Sequence, residues 1–259
     1  ASSHGLEQQR LHNITFKAGI FTNFSQDHLD YHKNMNLYLK AKLILFKEIL
    51  NKGSTIITDK NTNIFKAIKK IARIRNLKIL DIKKDFERVK NSLFNSHPDF
   101  KIKNIAMTTK AARLCGLKEK LIYKSINKLK DVDGRLELVK KYSNNIQVFI
   151  DYAHTPDALI KTLDGLHNNY GTSISLVFGC GGDRDKKKRP IMAKIANTNC
   201  QKIYITDDNP RNENPKKIRS ELSKYISKDK LFDIGNRKLA IKKAIQNAEP
   251  NEIILIAGK

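Results

Sequence analysis

Four short, β-rich apolar runs in the second half of the chain each end in a polar loop: IQVFI in DYAHTPD, ISLVF in GCGGDRDKKKRP, KIYIT in DDNPRNENP and EIILI in AGK. Helical patterning follows the first three, over residues 156–166, 190–196 and 216–226. A fifth short run, LFDI, precedes another helical stretch over 237–248. Runs that are apolar at nearly every position suit strands buried on both faces. Strand–helix alternation through short loops predicts an α/β fold with a mainly parallel sheet covered on both sides. Pro156, Pro190 and Pro215 stand near helix starts, where a missing N–H costs nothing.

In such sheets ligands bind beyond the carboxyl ends of the strands. The predicted strand ends present Asp151, His154 and Asp157, then Gly181, Gly182, Asp183 and Arg184, then Asp208, Asn209, Pro210 and Arg211, then Gly258 and Lys259. Glycines let backbone approach a phosphate and turn N–H groups toward it. Pro210 stiffens its turn, and Arg211 offers a planar fork of donors suited to a carboxylate. A glycine pair in one loop reads equally well as a plain turn; four charged loops at one edge favour an enzyme site.

The first half reads as strand 14–22, helix 36–50, strand 54–58, helix 62–75, strand 78–82 and helices 102–114 and 117–129, with Gly116 as a turn. The polar segment 131–137, DVDGRLE, is taken as the domain boundary, giving domains 1–133 and 134–259. After the first strand stands a dense polar group, Asp27, His28, Asp30 and His32, with Lys42 beyond it. Histidines at i and i+4 share a helix face and could bind a metal, and the acids beside them also favour a hard ion such as Mg²⁺. His32 reads more simply as a partly exposed helix residue, and Lys42 as a solvated lysine on an amphipathic helix.

Composition narrows the class. Lysine and arginine outnumber aspartate and glutamate by 50 to 26, a net charge of +24. The lysines are scattered, and no nucleic-acid-binding motif is present, so a solvated basic surface or anionic substrates are expected and nucleic acid is not. No apolar run approaches the ~20 residues of a membrane span, and no membrane insertion is expected. Three widely spaced cysteines without a C-x-x-C pair speak against disulfides and structural zinc and for the cytoplasm. The chain starts at Ala1 and stops at Lys259 inside recognisable patterns, so a fragment of a longer polypeptide is expected.

ASSHGLEQQR, TNFSQDHLDYH, LYLKAK, DGRLE, DYAHTPDAL, FGCGGDRDKKKRP and DDNPR occur in this order across nearly the whole chain. That series resembles the Mur ligase family, and most closely its members that add meso-diaminopimelate to UDP-N-acetylmuramoyl-L-alanyl-D-glutamate. The resemblance implies a truncated central ATPase domain followed by a Rossmann-like C-terminal domain, truncated at its end. It implies an ATP- and Mg²⁺-dependent, monomeric ligase that passes through an acyl phosphate. It matches Ser2, Gln8 and Arg10 to the UDP-muramoyl-dipeptide, His28 to a Mg²⁺ ligand, and Lys42 to a lysine carbamylated to support a second Mg²⁺. Asn104, Arg135, Asp151 and His154 match positions near ATP. Arg184, Asp208, Asn209, Pro210, Arg211 and Gly258 match positions at the diaminopimelate site. The phosphate-binding G-x-x-x-x-G-K-[ST] sequence does not occur in these residues, so the chain by itself is expected to form no amide bond. A folylpolyglutamate synthase-like enzyme, a Mur ligase for another amino acid, and a basic nucleic-acid-binding module are the alternatives; DNPR speaks against the first.

Overall fold

A computed structural model of the chain describes residues 1–93, 97–130, 132–171 and 173–258. The chain divides into two compact units, Ala1–Ser25 with Tyr31–Leu129, and Gln26–Asp30 with Lys130–Lys259. Two residues of the sequence reading, Asp131 at the expected domain boundary and Lys259 at the last strand end, lie outside the described residues.

The first unit holds α1 (Ser3–Glu7), β1 (Ala18–Phe21), the last two residues of α2 (Leu29–His32), and α3 (Met35–Ile44), which runs on as a wider π-type turn over Leu45–Ile49. It continues through β2 (Thr55–Thr58), α4 (Phe65–Arg75), β3 (Lys78–Asp81), α5 (Lys83–Ser92), α6 (Asp99–Leu114) and α7 (Glu119–Ile126). Its strands form a parallel sheet ordered β1-β2-β3. Neighbouring residues of a strand face opposite ways, and β2 uses both. Ile56 packs with Phe46, Leu50 and Ile68, whereas Ile57 packs with Ile82, Val89, Ile102 and Met107. Helix α4 stops at Asn76, whose left-handed backbone (φ 51°) supplies the cap.

The second unit holds β4 (Glu137–Lys141), β5 (Gln147–Asp151), α8 (Pro156–Tyr170), β6 (Ile174–Phe178), α9 (Lys188–Asn199), β7 (Lys202–Ile205), α10 (Pro215–Ser223), β8 (Leu231–Asp233), α11 (Arg237–Gln246) and β9 (Ile253–Ala257). The sheet order is β4-β5-β9-β6-β7-β8. All pairs are parallel except β4 with β5, so the carboxyl ends of β5, β9, β6 and β7 stand side by side. Phe149, Leu176, Phe178, Ile205 and Leu255 pack with buried residues of α8, α9 and α10. Their neighbours Val148, Val177, Tyr204, Ile254 and Ile256 pack on the other face with Ala240 and Ala244 of α11. This two-sided burial is why these strands are apolar at nearly every position. Strand β4 breaks the pattern. Its ELVKK sequence is mostly exposed and pairs antiparallel at the edge, and no apolar signal marked it. All three cysteines are free thiols. Among the described residues no helix is long and apolar enough to cross a membrane.

Candidate functional site

At the end of β5, Asp151 turns inward and is buried. One carboxylate oxygen accepts the Leu136 N–H at 2.7 Å; the other accepts the Ala153 N–H at 2.8 Å and the Thr162 hydroxyl at 3.2 Å. Burial pushes this carboxyl above its ordinary range, and the N–H donors with nearby Arg135 offset only part of that. Leu136 has left-handed backbone (φ 49°), which a leucine adopts only when held there. Tyr152 N–H donates to Gly134 O at 2.9 Å, so residues 134–136 are clasped onto residues 151–153. The clasp carries an exposed cation–aromatic group: Arg135 lies over the Tyr152 ring at 4.3 Å, and His154 meets that ring edge-on at 4.9 Å. Lys188 Nζ donates to His154 O at 2.8 Å.

The turns after β6 and β7 are bonded to each other. Gly182 N–H donates to Asn209 O at 3.1 Å, and Arg211 Nη1 donates to Gly182 O at 2.7 Å. Asp183 accepts the Asn212 backbone N–H at 3.1 Å and its side-chain amide at 2.9 Å. Asp183, Asn209 and Arg211 all have left-handed backbone, with φ of 48°, 41° and 50°. A Cβ on Gly182 would stand 1.8 Å from Pro210 O, so this glycine is required by close approach of two backbones. Asp208 stands beside the end of β9: a Cβ built on Gly258 would be 3.0 Å from its carboxylate. Arg237 Nη2 donates to Ala257 O at 3.0 Å. Arg184 is half exposed and pairs with Asp30 at 3.2 Å.

The segment Gln26–Asp30 belongs to this second unit. Gln26 donates to Asp185 at 2.7 Å. Asp27 lies between two imidazoles, 3.4 Å from His28 Nε2 and 3.8 Å from His154 Nε2. His28 itself has left-handed backbone (φ 55°) and precedes α2 rather than lying within it. His28 and His32 therefore do not share a helix face, and helical spacing gives no support to a metal pair at i and i+4. Among the described residues no three His, Cys, Asp or Glu side chains are arranged to hold a metal. His28 with Asp27 fits an ion such as Mg²⁺ that takes most of its ligands from phosphate and water.

In the first unit, Ser2 caps α1 by accepting the Gly5 N–H at 3.1 Å, and exposed Gln8 and Arg10 bond to one another through their side chains. His32 is not the partly exposed helix residue expected from its sequence. It is 3% exposed, its Nε2 lies 2.8 Å from Ser3 Oγ, and its Nδ1 lies 3.7 Å from Glu7. Long-range burial against α1 decides this, and helical spacing carries no trace of it. Lys42 sits on α3, half-buried, with Nζ 5.2 Å from the Tyr38 ring centre. Asn104 is exposed on α6, and its carbonyl accepts the Thr108 hydroxyl.

Sequence reading missed the groups that hold the loops in place. Arg189, 1% exposed, bonds Glu213, Glu221 and Gly181 O. Glu213 is clamped by Arg189, and its carboxyl is held down to about 2 by that partner first, with the Asp183 N–H and Lys186 adding to it.

Residues 1–115 match the Mur ligase middle domain, and residues 134–259 match the Mur ligase glutamate ligase domain. A UDP-N-acetylmuramoyl-L-alanyl-D-glutamate–2,6-diaminopimelate ligase of Rickettsia montanensis is 38% identical over the whole of this chain and 58% of its own length. One from Clostridium acetobutylicum is also 38% identical, over the whole chain and 57% of its own length. The chain thus spans under three fifths of these curated relatives. A solved structure of a ligase with the same name superposes with a TM-score of 0.55 at 28% identity, covering 100% of this chain and 58% of that one. A Mycobacterium tuberculosis folylpolyglutamate synthase, solved with ADP and AMPPCP, gives a TM-score of 0.74 at 13% identity over 96% of this chain and 62% of that one. At that identity the likeness is one of fold.

Proposed function

The chain belongs to the Mur ligase family, and from that premise we propose that it is the ATP-closing and amino-acid-selecting part of a cytoplasmic, monomeric enzyme of peptidoglycan synthesis. That enzyme adds meso-diaminopimelate to UDP-N-acetylmuramoyl-L-alanyl-D-glutamate. A substrate carboxylate takes the γ-phosphoryl group of ATP and becomes an acyl phosphate. An amine of diaminopimelate then attacks the acyl carbon, and the tetrahedral intermediate expels phosphate to leave an amide. Phosphoryl transfer needs positioning and cationic clamps more than covalent help.

On this reading Arg135, His154 and Asn104 meet ATP, and Asp151 holds Arg135 in place. His28 and a carbamylated Lys42 would hold Mg²⁺, which when bound neutralises phosphate charge. Ser2, Gln8 and Arg10 hold the UDP-muramoyl-dipeptide. Arg184 and Arg211 receive the carboxylates of diaminopimelate, while Asp208, Asn209 and Gly258 face its amines, with Pro210 keeping their turn stiff.

The observation that carries this reading is the knot between the turns after β6 and β7. It brings Gly182 O within 2.7 Å of the Arg211 guanidinium and sets Asp208 beside the end of β9. Lysine lacks the second carboxylate, so Arg211 should decide between the two diamines. Loss of a charge-assisted contact of this kind is worth on the order of 2–5 kcal/mol of discrimination. In full-length enzyme supplied with ATP and the UDP-muramoyl-dipeptide, Arg211→Ala should therefore lose most of its preference for meso-diaminopimelate over lysine. A variant that keeps a strong preference refutes the role of Arg211.

A further inference from the structure

We propose that Glu213 is a positioning residue of the amino-acid site: by accepting the Asp183 amide while clamped to Arg189, it locks the turn after β6 onto the turn after β7 and so fixes where Arg184 and Arg211 stand. The inference rests on the proposed diaminopimelate site and adds a determinant of affinity that touches no substrate. Glu213 lies two residues beyond Arg211, and its side chain is 11% exposed. Its Oε1 accepts the Asp183 N–H at 2.7 Å and Arg189 Nη2 at 2.9 Å. Its Oε2 accepts Arg189 Nη1 at 3.1 Å and pairs with Lys186 Nζ at 3.1 Å.

Every donor on that carboxylate comes from the β6 side, from residues 183, 186 and 189, while Glu213 itself belongs to the β7 side. Between them lie three non-glycine residues in left-handed backbone, Asp183, Asn209 and Arg211. Such residues persist only where their surroundings over-determine them. Bonds to an ionised carboxylate are the stronger kind, and Glu213 stays ionised because its carboxyl is held near 2.

A second acid separates positioning from plain stability. Glu221, on α10, also bonds Arg189, at 2.8 Å, and among the described residues it bonds no group of either turn. Both acids hold α9; Glu213 alone of the two binds the Asp183 amide. In full-length enzyme, Glu213→Gln is expected to raise the KM for meso-diaminopimelate at least tenfold, with kcat at saturation and the KM for ATP within twofold of wild type. Glu221→Gln is expected to lower the Tm and leave the KM for meso-diaminopimelate within twofold. Asn212→Ala removes an exposed side-chain donor to Asp183 without opening the core, and should raise the same KM about threefold if Glu213→Gln fails to fold. An unchanged KM in the Glu213 or Asn212 variant, or an equal rise in the Glu221 variant, overturns the proposal. Wild-type enzyme that makes no amide with meso-diaminopimelate overturns the functional reading beneath it instead.

Discussion

Replacing Asp151 by asparagine separates two roles that a carboxylate at a strand end can play. If Asp151 touches the nucleotide, the change harms binding and leaves the fold alone. If it works as the clasp described above, the fold suffers first. Asparagine retains one oxygen. Kept toward Ala153 N–H and the Thr162 hydroxyl, that oxygen leaves an NH₂ facing Leu136 N–H, donor against donor. A buried donor without an acceptor costs about 1–3 kcal/mol. Leu136 then loses the bond that most directly offsets its left-handed backbone, a strain of about 1 kcal/mol or more, and keeps only its packing on the core and the Tyr152–Gly134 bond beside it. Against this, a neutral side chain is relieved of the burial that pushes the Asp151 carboxyl up. The net loss is about 2 kcal/mol, or a Tm lower by roughly 6–8 °C for a unit of this size. Arg135 adjoins Leu136, so nucleotide affinity should fall as a consequence. Calorimetry of wild type and Asp151→Asn, each with and without ATP and Mg²⁺, measures both quantities. A variant that melts within a degree of wild type yet no longer binds nucleotide would refute the clasp and return Asp151 to direct contact.

The sheet of the second unit was legible because its strands are buried on both faces. ISLVF can hardly be anything but a central strand when Leu176 and Val177 enter separate cores. Where burial is one-sided or partial the signal fades. ELVKK, exposed at the edge, carried none, and the polar KKDFERVKNS of α5 buries only Asp85 and Val89. The candidate site was legible as residue types at strand ends. What arranges them was not. Asp151 acts on a leucine 15 positions away, and His32 is buried against Ser3 29 positions away. Nothing local distinguishes Glu213 from a solvated acid two residues beyond DNPR. His28 has left-handed backbone before α2, a conformation that helical spacing alone does not record, and spacing placed that histidine on a face it does not share. Chemistry follows from composition at the right place in the fold, whereas geometry follows from long-range partners that periodicity does not record.

Two further outcomes follow from the same contacts. Glu213 titrates near 2 in the folded chain against 4.5 for the free side chain. Its contribution to stability is therefore complete above about pH 4.5 and is lost as pH falls through about 2; urea midpoints between pH 2 and 5 should fall less steeply toward acid in Glu213→Gln than in wild type. The glycine pair gives the last test. A Cβ on Gly182 meets Pro210 O at 1.8 Å and Pro210 C at 2.6 Å, both backbone, whereas one on Gly181 meets the tip of Arg211 at 2.9 Å. The guanidinium tip is the far end of a flexible side chain and can shift at the cost of its one bond to Gly182 O; the Pro210 backbone cannot yield to Gly182 without parting the two turns. Overpacking of this kind costs about 1–3 kcal/mol. Gly182→Ala should accordingly lower the Tm by several degrees and raise the KM for meso-diaminopimelate, while Gly181→Ala, which displaces only the Arg211 tip, lowers the Tm by clearly less. Nucleotide affinity should survive Gly182→Ala, because the Arg135–Tyr152 group hangs on the clasp at β5 and not on this knot. Asp151→Asn should show the reverse pattern. Should both variants lose nucleotide and amino acid alike, the four strand ends respond as one body, and the division of labour drawn between clasp and knot is wrong.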